Sequence, residues 1–104
     1  MNFKSLRAFR LVVSQGSLAA AAEAMNLSQP AVSRLIALLE DETKLILFDR
    51  SRRRLTLSEA GEAFHRETRH ILDGIDELPH IAANVRAGAN RPFRLVTGPR
   101  VGTA

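Results

Sequence analysis

Residues 28–40 read SQPAVSRLIALLE, and this stretch decides the fold. Ser28 is a typical N-cap residue, and Pro30 falls in the first turn of a helix, where a missing N–H costs little. The apolar side chains recur at helical spacing, at Val32, Leu35, Ile36 and Leu39. The sequence therefore predicts an amphipathic helix over about residues 28–40, with its polar side chains gathered at the N-terminal end.

Two shorter helices are predicted upstream. Apolar residues recur at helical spacing over residues 3–15, and Gly16 ends that helix. Ser17 can cap an alanine-rich helix over about residues 18–25, and Asn26 tolerates the left-handed backbone of a tight turn. Because small alanines let helix backbones approach closely, the pattern predicts a helix-turn-helix. The alternative is an ordinary helical hairpin in a structural bundle.

A β-hairpin is predicted after the third helix. The short apolar segments LILF at 45–48 and LTL at 55–57 flank the basic sequence SRRR at 51–54. Beside a helix-turn-helix, such a hairpin is a wing that can follow phosphates or enter a narrow minor groove. The alternative is a solvated charged loop. The predicted fold class is mainly α: a winged helix-turn-helix with a two-stranded wing, followed by a long linker helix.

The linker helix is expected over about residues 58–86, with Ser58 as its cap. Apolar residues recur there at heptad spacing and predict a dimer interface with a second chain, formed by Phe64, Ile71, Ile75, Leu78, Ala82 and Val85. Phe64, near the start, is expected to pack on its own domain as well. Pro79 removes a hydrogen bond to the carbonyl of Ile75, so it is expected to kink or end the helix.

The exposed start of the helix over 28–40 carries side chains that read hydrogen-bond patterns. Gln29 matches adenine N6 and N7, Arg34 matches guanine O6 and N7, and small apolar side chains suit a thymine methyl. Hydroxyls and arginines suit phosphates. The candidate nucleic-acid contacts are Ser17, Ser28, Gln29, Pro30, Ala31, Ser33, Arg34, Arg52, Arg53 and Arg54.

Composition limits the other classes of function. A chain of 104 residues with net charge +4 has room for one domain and favours a polyanionic partner. It has no cysteine, hence no disulfide or thiolate metal site, and no apolar run long enough to span a bilayer. His65 and His70 each end a Glu-x-x-His element, but their side chains point about 140° apart on a helix. We expect no metal, no cofactor, no catalysis and no membrane contact, and a cytoplasmic location.

Together these residues resemble the N-terminal domain of LysR-type transcriptional regulators. The similarity covers about residues 1–97. The matching motifs are Leu6-x-x-Phe9, Gly16-Ser17, LSQPAVS at 27–33, Leu39-Glu40, LFDR at 47–50 and LSEAG at 57–61. The resemblance implies a sequence-specific regulator that binds double-stranded DNA, an operator with two half-sites, as a homodimer joined through the linker helix. The alternatives are a non-specific nucleoid-type DNA binder and a protein-interaction module.

The same resemblance implies the division of the chain. Residues 1–58 would be the DNA-binding domain, residues 59–87 the linker and dimerisation helix, and residues 88–104 the hinge and first strand of an effector-binding domain. That strand is predicted at 93–97. A small-molecule effector would bind only the missing C-terminal domain, so the chain is expected to be a fragment of a longer protein found on the nucleoid. The resemblance also implies that Arg50 contacts the DNA backbone.

Three residues depart from the family pattern. Lys44 stands where the family usually has glycine, so the turn after the third helix must adopt a left-handed backbone at some cost or avoid it. Arg54 replaces another frequent glycine and adds charge to the wing. Pro79 puts the usual dimer geometry in question.

Overall fold

The structure, a computed structural model, describes residues 2–51 and 54–88. The elements follow the order α1 (Phe3–Gln15), α2 (Leu18–Met25), α3 (Gln29–Thr43), β1 (Phe48–Asp49), β2 (Thr56–Leu57), α4 (Glu59–Asp76) and α5 (Leu78–Gly88). This confirms the mainly α fold with a two-stranded wing. The strand predicted at 93–97 lies outside the described residues. The chain divides into two compact units, with the boundary between His70 and Ile71, inside α4.

The three N-terminal helices begin and end at residues suited to those positions. Gly16 ends α1 with a positive φ of 86°. The Ser17 hydroxyl caps α2 by accepting a hydrogen bond from the Ala20 N–H at 3.0 Å. Asn26 ends α2 in the left-handed region, with φ 57° and ψ 45°. The predicted left-handed turn at Asn26 is therefore confirmed, and it reverses the chain between α2 and α3.

The core of the N-terminal unit is built around Phe9, whose side chain is fully buried. Its ring meets the rings of Phe48 and Phe64 edge-on, each with centroids 5.6 Å apart, a favoured geometry for aromatic pairs. The other buried apolar residues of this unit are Leu6, Ala8, Val12, Ala21, Ala22, Val32, Ile36, Leu39 and Leu47. Phe64, predicted for the dimer interface, thus packs within its own unit.

The turn after α3 places Lys44 in the left-handed backbone conformation, the costlier of the two possibilities for a residue with a side chain. Lys44 has φ 60° and ψ 30°, the left-handed backbone that a glycine would adopt without steric cost. Its ammonium lies 3.7 Å from the Asp41 carboxylate, and both side chains are about four-fifths exposed. A pair so exposed contributes little to stability. Lys44 therefore adopts the glycine-like backbone at a steric cost.

Hydrogen bonds of Ser58 connect the residues before β1 to the start of α4. β1 and β2 pair antiparallel, with Phe48 opposite Leu57. The Ser58 N–H donates to the Leu47 carbonyl at 2.9 Å, and the Ser58 hydroxyl donates to the Ile46 carbonyl at 2.5 Å. The same hydroxyl accepts from the Gly61 N–H at 2.9 Å, as an N-cap does. One serine therefore joins the hairpin to the helix.

The predicted linker helix is present but interrupted. α4 ends at Asp76, Glu77 lies in a turn, and α5 begins at Leu78. The Glu77 N–H is shared between the carbonyls of Asp73 and Gly74, both at 3.2 Å. Regular i→i−4 bonding is present again at Ile81. This break is the expected effect of Pro79. None of the helices among the described residues is long and apolar enough to cross a membrane.

Candidate nucleic-acid interface

The orientation of α3 is set by its buried side. Val32, Ile36 and Leu39 are each at most 1% exposed and fix the rotation of the helix about its axis. The Ser28 hydroxyl caps the helix by accepting from the Ala31 N–H at 3.2 Å. The 3.6-residue period therefore directs side chains on the opposite side of α3 away from the core, and these are Ser33, Arg34, Ala37 and Leu38.

The polar side chains at the start of α3 lie on the surface. Gln29, Pro30, Ser33 and Arg34 are exposed, and Ala31 is half-buried. None of the described residues of the N-terminal unit covers these four side chains. The start of α3 therefore presents two amide- or guanidinium-bearing side chains, a hydroxyl and a proline ring on one free surface.

An open cleft of about 360 Å³ brings residues of three elements together. Its lining comprises Gly16, Ser17, Leu18, Ala19, Gln29, Arg54 and Leu55. Ser17 comes from the start of α2, Gln29 from the start of α3, and Arg54 from the end of the wing. Three residues predicted as nucleic-acid contacts from separate segments thus share one concave surface, which we call the α2–α3–wing cleft.

The charge of this cleft favours an anion. Among the described residues that line it, Arg54 is exposed and none carries a carboxylate. The N-termini of α2 and α3 are both at this end of the domain, and helix N-termini carry a partial positive charge with unpaired N–H groups. The arrangement suits a phosphate chain running past the two helix starts.

Arg50 lies at a different place from the cleft, beside Glu40 of α3. Its Nη1 is 3.4 Å from the Glu40 Oε1, and the Arg50 side chain is 55% exposed while that of Glu40 is 16% exposed. The other carboxylate oxygen of Glu40 accepts from the N–H groups of Leu47 at 2.7 Å and Phe48 at 3.3 Å. The Arg50 guanidinium is therefore in contact with Glu40 through one nitrogen and still reaches solvent.

Sequence reasoning named Glu40 only as part of a motif and missed this role. The partners of its carboxylate lie seven to ten residues further along the chain and beyond the end of α3, so no periodic pattern within one element relates them to Glu40. The apolar lining of the cleft by Leu18 and Leu55 was also missed. Arg52 and Arg53, predicted for the wing tip, lie outside the described residues.

No group of three or more His, Cys, Asp or Glu side chains among residues 2–51 and 54–88 could hold a metal ion. His65 is half-buried, and its ring lies edge-on to Phe9 with centroids 6.0 Å apart. Burial lowers the pKa of His65, and the positive charges of Arg69 and Arg10 lower it further. This histidine therefore serves the packing of α4 against α1.

Residues 3–62 match the model of the bacterial regulatory helix-turn-helix proteins of the lysR family. The match covers more than half of the chain. The chain belongs to the LysR family. The LysR-type winged helix-turn-helix thus accounts for α1–α3, the two strands and the start of α4.

Two relatives and one solved structure illustrate the family. This LysR-type chain is 35% identical over 102 residues to an HTH-type transcriptional regulator in the ibpB–leuC intergenic region of Azotobacter vinelandii, with 98% of this chain and 71% of that protein covered. It is 33% identical over 99 residues to the octopine catabolism/uptake operon regulatory protein OccR of Rhizobium meliloti, with 95% and 33% covered. The chain thus spans only a third of the longer relative.

The solved structure is the BenM DNA-binding domain in complex with catB site 1 DNA. It superposes with a TM-score of 0.78 at 28% identity and covers 85% of this chain and 99% of that one. Both relatives above are named as regulators, and neither is named as an enzyme.

Proposed function

We propose that this LysR-type domain regulates transcription in the bacterial cytoplasm by binding duplex DNA of a particular sequence, with the start of α3 in the major groove. The single observation that carries the proposal is the exposure of Gln29, Ser33 and Arg34 at the free end of α3, beside the α2–α3–wing cleft. An α-helix fits the major groove of B-DNA, where each base pair shows a distinct hydrogen-bond pattern. Helix-turn-helix proteins present the N-terminal residues of the second helix there.

Gln29 and Arg34 carry the base reading in this proposal. An amide can pair with adenine N6 and N7, and a guanidinium with guanine O6 and N7, in bidentate fashion. Both side chains are exposed and five residues apart, so they reach different base pairs. Pro30 and Ala31 would contact thymine methyl groups, and Ser33 lies between the two reading side chains.

In this proposal, contacts to phosphates fix the position of α3 along the DNA groove. The N–H groups at the starts of α2 and α3, with the hydroxyls of Ser17 and Ser28, face the side where the backbone of the groove would pass. Arg50 and Arg54 are exposed on the wing side, where their guanidinium groups can donate to phosphates. Arg52 and Arg53 complete the basic wing in the sequence. Such contacts carry affinity for any duplex and little sequence information.

A dimer would place two recognition helices on two half-sites. The C-terminal unit exposes Ile71, Leu78 and Val85 to 43%, 55% and 56%, in the predicted heptad positions. Covering them with a second copy removes apolar surface from water. The relatives' greater length is consistent with an effector-binding domain beyond this chain, and the effector would act there.

Selection from a random duplex pool followed by one substitution tests the sequence reading. Arg34→Ala should weaken binding to the selected duplex by about 1–3 kcal/mol and relax the preference at one base position. Arg66→Ala removes the same charge from an exposed site on α4 and should leave that preference intact. Affinities are measured by fluorescence anisotropy at several salt concentrations.

Two results would overturn the proposal in different ways. Equal losses for Arg34→Ala on selected and random duplexes would mean a non-specific, nucleoid-type binder. The absence of any salt-sensitive binding would mean a protein-interaction module whose basic surface is incidental. Arg54→Ala should weaken binding to all duplexes alike and reduce the salt dependence, because it removes a phosphate contact.

A further inference from the structure

We propose that Glu40 is a positioning residue for the DNA interface: its carboxylate fixes the first strand of the wing to α3 and holds the Arg50 guanidinium ready for a phosphate. This inference rests on the proposed DNA-binding function. It concerns a residue of α3 that lies outside both the base-reading set and the α2–α3–wing cleft.

The Glu40 carboxylate binds three donors from residues at the first strand of the wing. Oε2 accepts from the backbone N–H groups of Leu47 and Phe48, at 2.7 and 3.3 Å. Oε1 lies 3.4 Å from Nη1 of Arg50. With its side chain only 16% exposed, Glu40 is shielded from the water that usually weakens surface ion pairs. Hydrogen bonds to an ionised acceptor are stronger than neutral ones.

The backbone N–H groups alone do not explain a charged residue at this position. A glutamine amide oxygen could also accept from both Leu47 and Phe48, although more weakly than a carboxylate, because both bonds go to a single oxygen of Glu40. The second oxygen is directed at Arg50. The negative charge of Glu40 is therefore needed for the ion pair with Arg50, and the positive charge of Arg50 compensates the partly buried carboxylate.

The pairing leaves Arg50 able to bind DNA. A guanidinium carries five N–H donors, and the contact with Glu40 occupies one nitrogen. With 55% of its side chain exposed, Arg50 leaves its remaining donors accessible to a phosphate while Glu40 holds one nitrogen. Since the pair is nearly neutral, it adds little long-range attraction for DNA. The Arg50–Glu40 pair therefore favours binding of one phosphate at a defined position over non-specific attraction to the DNA backbone.

Glu40 also links the two parts of the interface. It belongs to α3, the helix that carries Gln29 and Arg34. Its three partners lie immediately before, in and immediately after β1, the first strand of the wing. A phosphate held by Arg50 is thus kept at a fixed distance from the bases read by α3. Such a link acts on the register of the helix in the groove, and hence on specificity more than on total affinity.

Glu40→Gln separates this role from a purely structural one. The amide keeps an acceptor for Leu47 and Phe48 but loses the ion pair with Arg50. We expect affinity for the selected duplex to fall about three- to tenfold. Affinity for a scrambled duplex of equal length should stay unchanged or rise, because one negative charge near the phosphates is gone. The ratio of the two affinities is the quantity to measure.

Asp41→Asn is the matched control. It removes the same charge from the neighbouring residue of α3, where the carboxylate is 78% exposed and pairs with Lys44. That variant should keep the wild-type ratio. In an Arg50→Ala background, Glu40→Gln should cause no further loss, because the interaction it removes is already absent. Glu40→Asp, with its carboxylate drawn back by one methylene, serves as a second variant should Glu40→Gln fail to fold, and should also lower the ratio.

A measurement on the free protein keeps this inference separable from the proposed function. Relaxation of the Arg50 Nε–Hε group should show greater mobility in Glu40→Gln than in the wild type. An unchanged affinity ratio, the same loss in the Arg50→Ala background, or an equally ordered Arg50 would each overturn the inference. A wild-type protein that ignores duplex sequence would instead overturn the proposed function, and the inference with it, even if Arg50 proved to be ordered by Glu40.

Discussion

Gly61 lies where the first turn of α4 passes closest to the backbone before β1. A Cβ at this position would overlap the Leu47 carbonyl oxygen and lie 2.8 Å from a methyl of Leu57. That carbonyl is also held by the Ser58 N–H, so it cannot move aside freely. We expect Gly61→Ala to lower the free energy of unfolding by about 1–3 kcal/mol, the usual cost of overpacking.

Gly74→Ala gives the matched control in urea unfolding. A Cβ at Gly74 would meet nothing within 4 Å. Alanine is favoured over glycine inside a helix by about 0.5–1 kcal/mol, so this variant should be more stable than the wild type. A Gly61→Ala protein as stable as the wild type, or more stable, would show that the contact of Gly61 with Leu47 does not limit that site.

His65 should make stability depend on pH in a predictable direction. Burial and the charges of Arg69 and Arg10 lower the pKa of His65 in the folded chain from its ordinary value of 6.5. The unfolded chain therefore takes up this proton first as the pH falls. The stabilising contribution is complete above pH 6.5 and is lost progressively as the pH drops through the lowered pKa of the folded state.

Unfolding of His65→Gln at a series of pH values isolates this effect. Between about pH 7.5 and pH 5, the wild type should lose more stability than the variant, because only the wild type carries the linked proton. His80→Gln changes an exposed histidine of α5 and should behave as the wild type does. Parallel curves for the wild type and His65→Gln would contradict the lowered pKa.

At the scale of elements, the parts with local signals could be predicted from the sequence. Ser17 and Ser28 are caps that satisfy N–H groups three residues away. Asn26 needs only its own backbone conformation to turn the chain. The hairpin follows from two apolar segments around a polar one. Each of these signals acts within a few residues, so a single sequence contains it in full.

The parts that depend on distant residues could not be predicted. The bonds from the Glu40 carboxylate to the wing, and the close approach of Gly61 to Leu47, arise only when separate elements pack. Lys44 shows the same limit, since tertiary packing imposes a left-handed backbone on a residue that disfavours it. The exposed Ile81 was missed because strict heptad positions omit it.

Pro79 controls the break between α4 and α5. It has no N–H to bond the Ile75 carbonyl, and the Glu77 N–H is shared between two carbonyls nearby. Pro79→Ala should restore the missing bond, join the two helices and raise the helical signal in circular dichroism. His80→Ala, one residue on, leaves the backbone donors unchanged and should not. An unchanged helical signal in both variants would show that Pro79 does not cause the break between α4 and α5.

At the scale of the whole molecule, the C-terminal unit leaves several large apolar side chains exposed among its described residues. Ile71, Leu78, Ile81 and Val85 are each between 43% and 56% exposed. A soluble protein rarely leaves neighbouring large apolar side chains uncovered without a partner. Leu78, Ile81 and Val85 follow helical spacing on α5, so Ile81 widens the predicted seam. A second copy of the chain is the partner that would also pair two recognition helices.

Val85→Asp should therefore turn the dimer into a monomer, because it would bury a charge in the seam. Asn84→Asp introduces the same group one residue earlier, at an exposed position outside the predicted seam, and should leave the mass unchanged in sedimentation equilibrium. The monomer should bind a duplex with two half-sites no more tightly than one with a single half-site, since the second contact is no longer intramolecular. A Val85→Asp protein that keeps the wild-type mass would exclude this face as the dimer interface, and another surface would then have to pair the recognition helices.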